Sequence, residues 1–275
     1  MSEKKAEMSQ AMKEKLAPKN FVKNPIKGTK FTVMVSSAKG GVGKSTFAVN
    51  LAFSLKQLGK NVGLLDADIY GPSLPKLIGR NEKPENKDGK YIVPIDSHGV
   101  QCMSMGFLVE ETTPMIWRGP MVISAIKTLT ERVLWKDLDI IVIDMPPGTG
   151  DTQLTFAQDI KVDGAIIIST PQDIALLDVK RGIQMFDKTK INIFGLVDNM
   201  SFFKGDDGKN YNIFGEGGVE KTAKEFNKDF LGKIPLQQDL RISADKGVPL
   251  TLSDTNHEIS LVFKEIAEKI LKKLN

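Results

Sequence analysis

Residues 31–46 read Phe31-Thr-Val-Met-Val-Ser36-Ser37-Ala38-Lys39-Gly40-Gly41-Val42-Gly43-Lys44-Ser45-Thr46. A β-branched, apolar run ends in a glycine-rich turn, and the turn opens onto Phe47, Leu51, Leu55 and Leu58 at helical spacing. Strand, glycine loop and helix in that order form the setting in which such a loop grips phosphate. Glycine accepts the backbone conformations that aim successive N–H groups at one anion, and the helix N-terminus adds partial positive charge. In this setting Lys44 would hold the β/γ-phosphates of a nucleotide and the Ser45 hydroxyl would bind Mg²⁺. The cradle would comprise Ala38, Lys39, Gly40, Gly41, Val42, Gly43, Lys44, Ser45 and Thr46. A merely flexible Gly/Lys turn would not need a strand before it and a helix after it.

The same grammar of apolar run, Gly/Pro/Asp loop and helical segment repeats along the chain, which means α/β with a mainly parallel sheet. The expected strands are Phe31–Ser36, Asn61–Leu65, Leu138–Ile143, Gly164–Ser169, Ile193–Val197 and Phe230–Ile234, mostly continuous apolar runs as strands covered on both faces should be. Val122, Ile126, Leu129 and Val133 repeat at helical spacing and read as a core stripe. The expectation is a single-domain P-loop NTPase, a mainly parallel sheet covered by helices on both faces. It comprises a basic, flexible N-terminal arm (1–30) and an ATPase domain (31–275), with 80–98 a polar insertion carrying a short hairpin between the second and third sheet strands.

The net charge is +4, and residues 1–30 hold eight lysines against three glutamates, so the rest of the chain is near neutral. The basicity belongs to the arm, which argues against a nucleic-acid partner. The N-terminus mixes Glu3, Glu7 and Glu14 with lysines and shows no apolar signal core, and no window approaches a membrane span, so a cytoplasmic protein is expected. Cys102 is the only cysteine; it stands among Val100, Met103 and Met105 and reads as a small buried hydrophobe in a reducing compartment. His98 and His257 have no metal-ligand spacing.

A P-loop hydrolase also needs carboxylates at strand ends to organise Mg²⁺ and water. The run Asp139-Ile-Ile-Val-Ile-Asp144 ends in an acid followed by Met145-Pro-Pro-Gly-Thr-Gly-Asp151, and Val62-Gly-Leu-Leu-Asp66-Ala-Asp68 closes the second strand. Asp144 would hold Mg²⁺ through water, Gly148 would let the backbone approach the γ-phosphate, Asp66 would lie near the metal, and Asp68 would position or activate the attacking water. Either acid alone could be a turn former or a helix cap; their joint placement after two strands favours the functional reading.

Ala38 stands where the first glycine of the loop is usual, and Lys39 follows it, a lysine that local phosphate geometry does not call for because Lys44 fills that role. This form resembles the deviant P-loop of the dimeric ATPases related to MinD, ParA and nitrogenase iron protein. The resemblance implies a homodimer with two ATP molecules at its interface and Lys39 reaching the neighbour's nucleotide. It also places Asn199 at the adenine-contacting position and Pro235 where the purine pocket closes.

Further motifs are Asp66-Ala-Asp-Ile-Tyr-Gly-Pro-Ser73, Trp117-Arg-Gly-Pro-Met121, Asp144–Asp151, Thr170-Pro-Gln-Asp173, Asn199-Met-Ser201 and Ile213-Phe-Gly-Glu-Gly-Gly218. Together with the loop, from about residue 31 to about 250, they resemble the Mrp (ApbC-like) iron–sulfur cluster carrier ATPases. The resemblance implies a homodimer that binds and hydrolyses ATP and passes iron–sulfur clusters to apoproteins. Many members carry Cys-x-x-Cys between the Asn-Met-Ser and Ile-Phe-Gly motifs, so that two subunits share one cluster. Here that loop reads Phe202-Phe-Lys-Gly-Asp-Asp-Gly-Lys-Asn-Tyr-Asn212, without cysteine. Asp206 and Asp207 are hard oxygen donors, poor substitutes for thiolate.

An alternative is an ATP-switched positioning or scaffolding ATPase like MinD, acting on a membrane or a protein partner. It rests on the last segment, where Ile259, Val262, Phe263, Ile266, Ile270 and Leu274 form one stripe beside Lys264, Lys269, Lys272 and Lys273. A closing helix packed on the sheet accounts for the same stripe. A small-molecule kinase is the weaker third reading, because Lys39 and the paired aspartates Asp66 and Asp68 suit water attack.

Overall fold

The structure is a computed structural model and describes residues 23–109 and 119–274. Eleven strands occur among them: β1 (Thr29–Ser36), β2 (Val62–Asp66), β3 (Asn86–Lys87), β4 (Tyr91–Ile92), β5 (Ile95–Ser97), β6 (Val100–Ser104), β7 (Leu138–Asp144), β8 (Gly164–Ser169), β9 (Ile193–Lys204), β10 (Asn210–Tyr211) and β11 (Phe230–Leu236). Nine of them form one sheet in the order β10-β9-β8-β1-β7-β2-β6-β5, with β11 also paired to β9; β3 and β4 make a separate hairpin. Every pairing in the large sheet is parallel except those of the short strands β5 and β10.

The helices are α1 (Lys44–Gln57), α2 (Leu74–Leu77), α3 (Gly119–Glu131), α4 (Asp151–Asp159), α5 (Asp173–Lys188), α6 (Gly218–Glu225), α7 (Gln238–Lys246), α8 (Leu250–Ser253) and α9 (Glu258–Leu274). Because side chains alternate along a strand, the central strands feed two cores. Val33, Val35, Val142 and Ile166 pack with Phe47 and Leu51 of α1 and Phe263 and Ile266 of α9. Met34, Ile141, Ile143 and Ile167 point the other way, onto Ile126 of α3, Phe156 of α4 and Ile183 of α5. Both faces are covered by helices, which is why the strands read as unbroken apolar runs.

The structure corrects the sequence reading in three places and decides between the two readings of the terminal stripe. Val100–Ser104 is a parallel sheet strand beside β2, so Cys102 belongs to a strand that precedes Leu138–Asp144 in the chain; Gln101 and Ser104 interrupt its apolar pattern. The polar insertion does carry its hairpin, β3–β4, but its end joins the sheet as β5. The last residues of the expected arm are packed on the body. Asn24 exchanges main-chain bonds with Asp159 and Lys161 at 2.9 Å, and Ile26 is buried. Residues 1–22 of the arm and 117–118 of the Trp117–Met121 motif lie outside the described residues. Finally, Ile259, Phe263, Ile266 and Ile270 of the terminal stripe are all core residues, and the rings of Phe47 and Phe263 lie 5.5 Å apart. The stripe is therefore spent on the sheet, and among the described residues no helix is long and apolar enough to cross a membrane.

Candidate nucleotide site

The loops after β1, β2 and β7 meet Asn199 of β9 at one edge of the sheet, the carboxyl edge, where open α/β sheets hold their ligands. Gly43 caps α1 in the left-handed conformation, with φ +81°. A Cβ there would also lie 2.4 Å from Nδ2 of Asn199, so both the conformation and the space call for glycine. A Cβ on Gly40, Gly41, Gly148 or Gly150 would meet nothing within 4 Å, so the two glycine loops leave open room between backbone and solvent.

Lys44 is buried and donates to Oδ1 of Asp144 and, at 3.3 Å, to Oγ of Ser45. Asp144 lies in register with Asp66 on the neighbouring strand. One buried cation and two carboxylates thus stand at the end of β2 and β7, beside the serine hydroxyl. The arrangement fits a magnesium–phosphate group in charge and in donor chemistry.

Asp66 also has a structural occupation. Its Oδ2 accepts from the N–H groups of Ser73 (3.0 Å) and Leu74 (3.1 Å) and from Oγ of Ser104 (3.0 Å), and its Oδ1 accepts from Asp68 N (3.0 Å). Oδ2 is saturated, and Oδ1 alone keeps an acceptor position open. Burial, and next the charge of Asp144, pushes its carboxyl up to about 7. Asp68 is half-buried and accepts from Gly71 N at 3.3 Å. Burial raises its carboxyl above the ordinary range, with Lys44 opposing and Asp144 reinforcing the shift. Asp68 therefore senses the same cluster of charges.

Gly148 has φ +96° and its N–H donates to Ser37 O at 2.9 Å, so the group expected to approach phosphate is held by the stem of the P-loop. Lys39 is exposed, and among the described residues no ion pair or hydrogen bond engages its ammonium. The Ala38 methyl faces Gly182 of α5, 3.8 Å from where a Cβ would stand.

Beside Gly43 and Thr46 opens a cavity of about 480 Å³, lined by Asn199, Met200, Pro235, Leu240 and Arg241 among others. It lies where β9 and β11 lose register, between the Ile234–Asn199 and Leu236–Phe203 pairs, and where Met200 adopts φ +55°. Asn199 donates to Val42 O at 2.7 Å, which ties the cavity floor to the P-loop and leaves its Oδ1 as an acceptor. Across the cavity, the segments that follow α2 and α7 meet at Gly79 and Gly247; a Cβ on Gly79 would lie 2.9 Å from Gly247 O. The sequence reading anticipated Asn199 and Pro235 but not α7. The signal for its wall was Leu240 and Ala244, one helical turn apart.

The Cys-x-x-Cys that the resemblance implies has no counterpart in the sequence, whose one cysteine is Cys102. Among the described residues no group of three or more His, Cys, Asp or Glu side chains could hold a metal ion. Cys102 is buried within β6, where burial drives its thiol well above the ordinary range. Residues 202–211 form a closed hairpin in which Asp207 accepts from Lys209 N (3.0 Å) and from the Tyr211 hydroxyl (2.9 Å). His257 is likewise engaged, its Nδ1 accepting from Ile259 N at 3.1 Å at the start of α9.

Residues 28–271 match the family model of ParA-type proteins described as the NUBPL iron-transfer P-loop NTPase. The iron–sulfur cluster carrier protein of Escherichia coli is 47% identical over 251 residues, which is 90% of this chain and 68% of that protein. A nucleotide-binding protein of Archaeoglobus fulgidus, solved in complex with ADP, superposes with a TM-score of 0.70 at 38% identity, covering 80% of this chain and 87% of that one. The cell-division ATPase MinD of Pyrococcus furiosus gives a TM-score of 0.65 at 20% identity, covering 88% and 98%, a likeness of fold.

Proposed function

The chain belongs to the NUBPL iron-transfer P-loop NTPase family, and on that premise we propose that it is a homodimeric ATP hydrolase serving iron–sulfur cluster delivery to apoprotein clients. The observation that carries the nucleotide half is the buried Lys44–Asp144 pair at the mouth of a glycine loop that adjoins the Asn199–Pro235 cavity. Backbone N–H groups of residues 38–46 and the Lys44 ammonium bind the phosphates, and Asn199 and Pro235 take the base. Ser45 and Asp144 would hold Mg²⁺, and Asp66 Oδ1 would offer a further acceptor to it. When bound, magnesium neutralises charge between the β- and γ-phosphates. Asp68 orients water toward the γ-phosphorus; the new P–O bond forms as the bond to the β–γ bridging oxygen breaks, giving ADP and phosphate. Its raised carboxyl pKa suits a group that takes a proton from that water.

Support for the second copy comes from the same edge. Lys39 extends into solvent, and the neighbouring helix α5 exposes Ile174 and Leu177, 62% and 60% accessible, with Ile213 of the segment before α6 at 58%. Apolar side chains so exposed, next to an unpaired lysine at the nucleotide, suit a face covered by a twin subunit that receives Lys39 at its own nucleotide.

The cargo step is where this chain's residues do not fit the family's chemistry. We assign to it the ATP-dependent, client-facing part of delivery and no step through a cluster held on its own thiolates. The cytoplasm, where its lone thiol stays reduced, is the compartment we assign.

Calorimetry with magnesium ATP tests the nucleotide reading: binding that disappears in Lys44→Ala is expected, and no heat with the unaltered chain sinks it. Anaerobic reconstitution with iron and sulfide tests the cargo reading. A colourless, iron-free protein is expected; a coloured one whose iron persists in Cys102→Ser would reveal ligands other than thiolate.

A further inference from the structure

Three links fasten the loop that follows β7, residues 145–150, to the stem of the P-loop. Met145 N donates to Val35 O at 3.0 Å, and Gly148 N donates to Ser37 O at 2.9 Å. Between them a side chain spans the gap. Ser36 Oγ donates to Oε1 of Gln153 at 3.2 Å, and Nε2 of Gln153 donates to the carbonyl of Pro146.

Gln153 sits on the first turn of α4 and is 2% exposed. A buried primary amide is tolerated when both of its ends are bonded, and here both are. A leucine would fill similar space without offering an acceptor to β1 and a donor to the loop. The position of that donor matters, because Pro146 and Pro147 have no N–H and the Pro146 carbonyl is the polar handle the backbone presents there. Beyond the prolines, Gly148 has the conformational freedom of its positive φ and open space around it. The loop thus has a clamped end at Met145–Pro146 and a releasable end at Gly148.

We infer that Gln153 is a positioning residue for ATP hydrolysis: it fixes Pro146 as the pivot about which Gly148 exchanges Ser37 O for the γ-phosphate. The inference rests on the ATPase reading above and deepens it. Gln153 touches neither nucleotide nor water; it acts through the loop it holds.

The test compares full-length protein with Gln153→Ala, Gln153→Glu and Ser36→Ala, measuring ATP turnover, the dissociation constants of Mg-ADP and Mg-ATPγS, and the melting temperature. Gln153→Glu keeps the size and the acceptor but loses the donor facing Pro146, and it carries the comparison should Gln153→Ala fail to fold. Both Gln153 variants are expected to lower kcat about tenfold or more, since small misplacements of a reacting centre cost one to two orders of magnitude. Both should weaken ATPγS at least about fivefold while ADP, which lacks the γ-phosphate, stays within about twofold. Ser36→Ala, which leaves the bond to Pro146 in place, should lose less than either. Unchanged kcat in a folded Gln153 variant overturns the inference, and so does a parallel loss of ADP and ATPγS affinity, the mark of a purely structural role. Absence of turnover in the unaltered chain would overturn the ATPase reading itself, and it is seen before any variant is compared.

Discussion

The ammonium of Lys44 and the carboxylate of Asp144 hold one another at the end of β7, both side chains shut away from water. A triphosphate would have to draw Lys44 away while Asp144 turned to magnesium, so ligand binding exchanges partners within a charge cluster already in place. Removing one member strands the other. Lys44→Ala is expected to abolish nucleotide binding and to cost about 3–5 kcal/mol in urea unfolding. The pair Lys44→Met with Asp144→Asn should cost less than the two single changes summed, by about 1 kcal/mol or more. Strict additivity would mean the pair is not coupled.

Asp68 is expected to separate binding from chemistry. Asp68→Ala should bind Mg-ATP within about threefold of the unaltered chain and hydrolyse it about a hundredfold more slowly, the range of a lost general base. Equal turnover would place the water under another group.

Asp198 gives a pH signature away from the reaction. It neighbours Asn199 in β9 but faces the opposite side of the sheet; it is buried, its Oδ1 has no hydrogen-bond partner, and burial pushes its carboxyl to about 6 against the pull of Lys233. Its folded-state value is higher than the ordinary 3.8, so the folded chain binds the proton more tightly than the unfolded one. The stability it contributes is whole below about pH 4 and is lost as pH rises through about 6. Asp198→Asn should therefore raise Tm at pH 8 by roughly 2–6 °C and leave it nearly unchanged at pH 4. An equal shift at both pH values would rule out proton linkage.

Phe263 packs on Phe47 and is 1% exposed. Phe263→Ala is expected to destabilise the chain by about 3–5 kcal/mol, as aromatic-to-alanine changes in cores do. With that stripe committed to the core, the protein should remain in the supernatant when spun with anionic vesicles and ATP. ATP-dependent pelleting would restore the membrane-acting alternative.

The exposed face of α5 tests the proposed twin subunit. Leu177→Glu places a charge on a residue 60% accessible in the single chain, so folding should be within about 0.5 kcal/mol of normal. Sedimentation with ATP should show the unaltered chain as a dimer and the variant as a monomer. A dimeric variant would move the interface elsewhere.

The sequence carried the fold because the signals were local. Six parallel strands announced themselves as apolar runs bounded by glycine, proline and aspartate. β6 escaped because Gln101 and Ser104 break its run, and it is a strand only through β2 and β5 on either side. At the site, the P-loop and the strand-end acids were legible because phosphate chemistry restricts residue type at fixed spacing. What was hidden were partners brought together by folding. No pattern reveals that Asp66 caps α2, that Gly148 is held by Ser37, or that Gln153 reaches from α4 to Ser36, 117 positions away. Side-chain bridges of this kind impose no periodicity, and a lone glutamine on a helix gives no sign of what it touches.

Asp66 and Asp144 face each other across adjacent strands because β2 and β7 are aligned at that pair. A slip of one residue would turn Asp66 toward the opposite helical layer and set an apolar neighbour beside Asp144. Catalysis is thus a readout of correct threading: a population in which some molecules have knitted the wrong ladder would lose specific activity in proportion, even while its helix content looked normal.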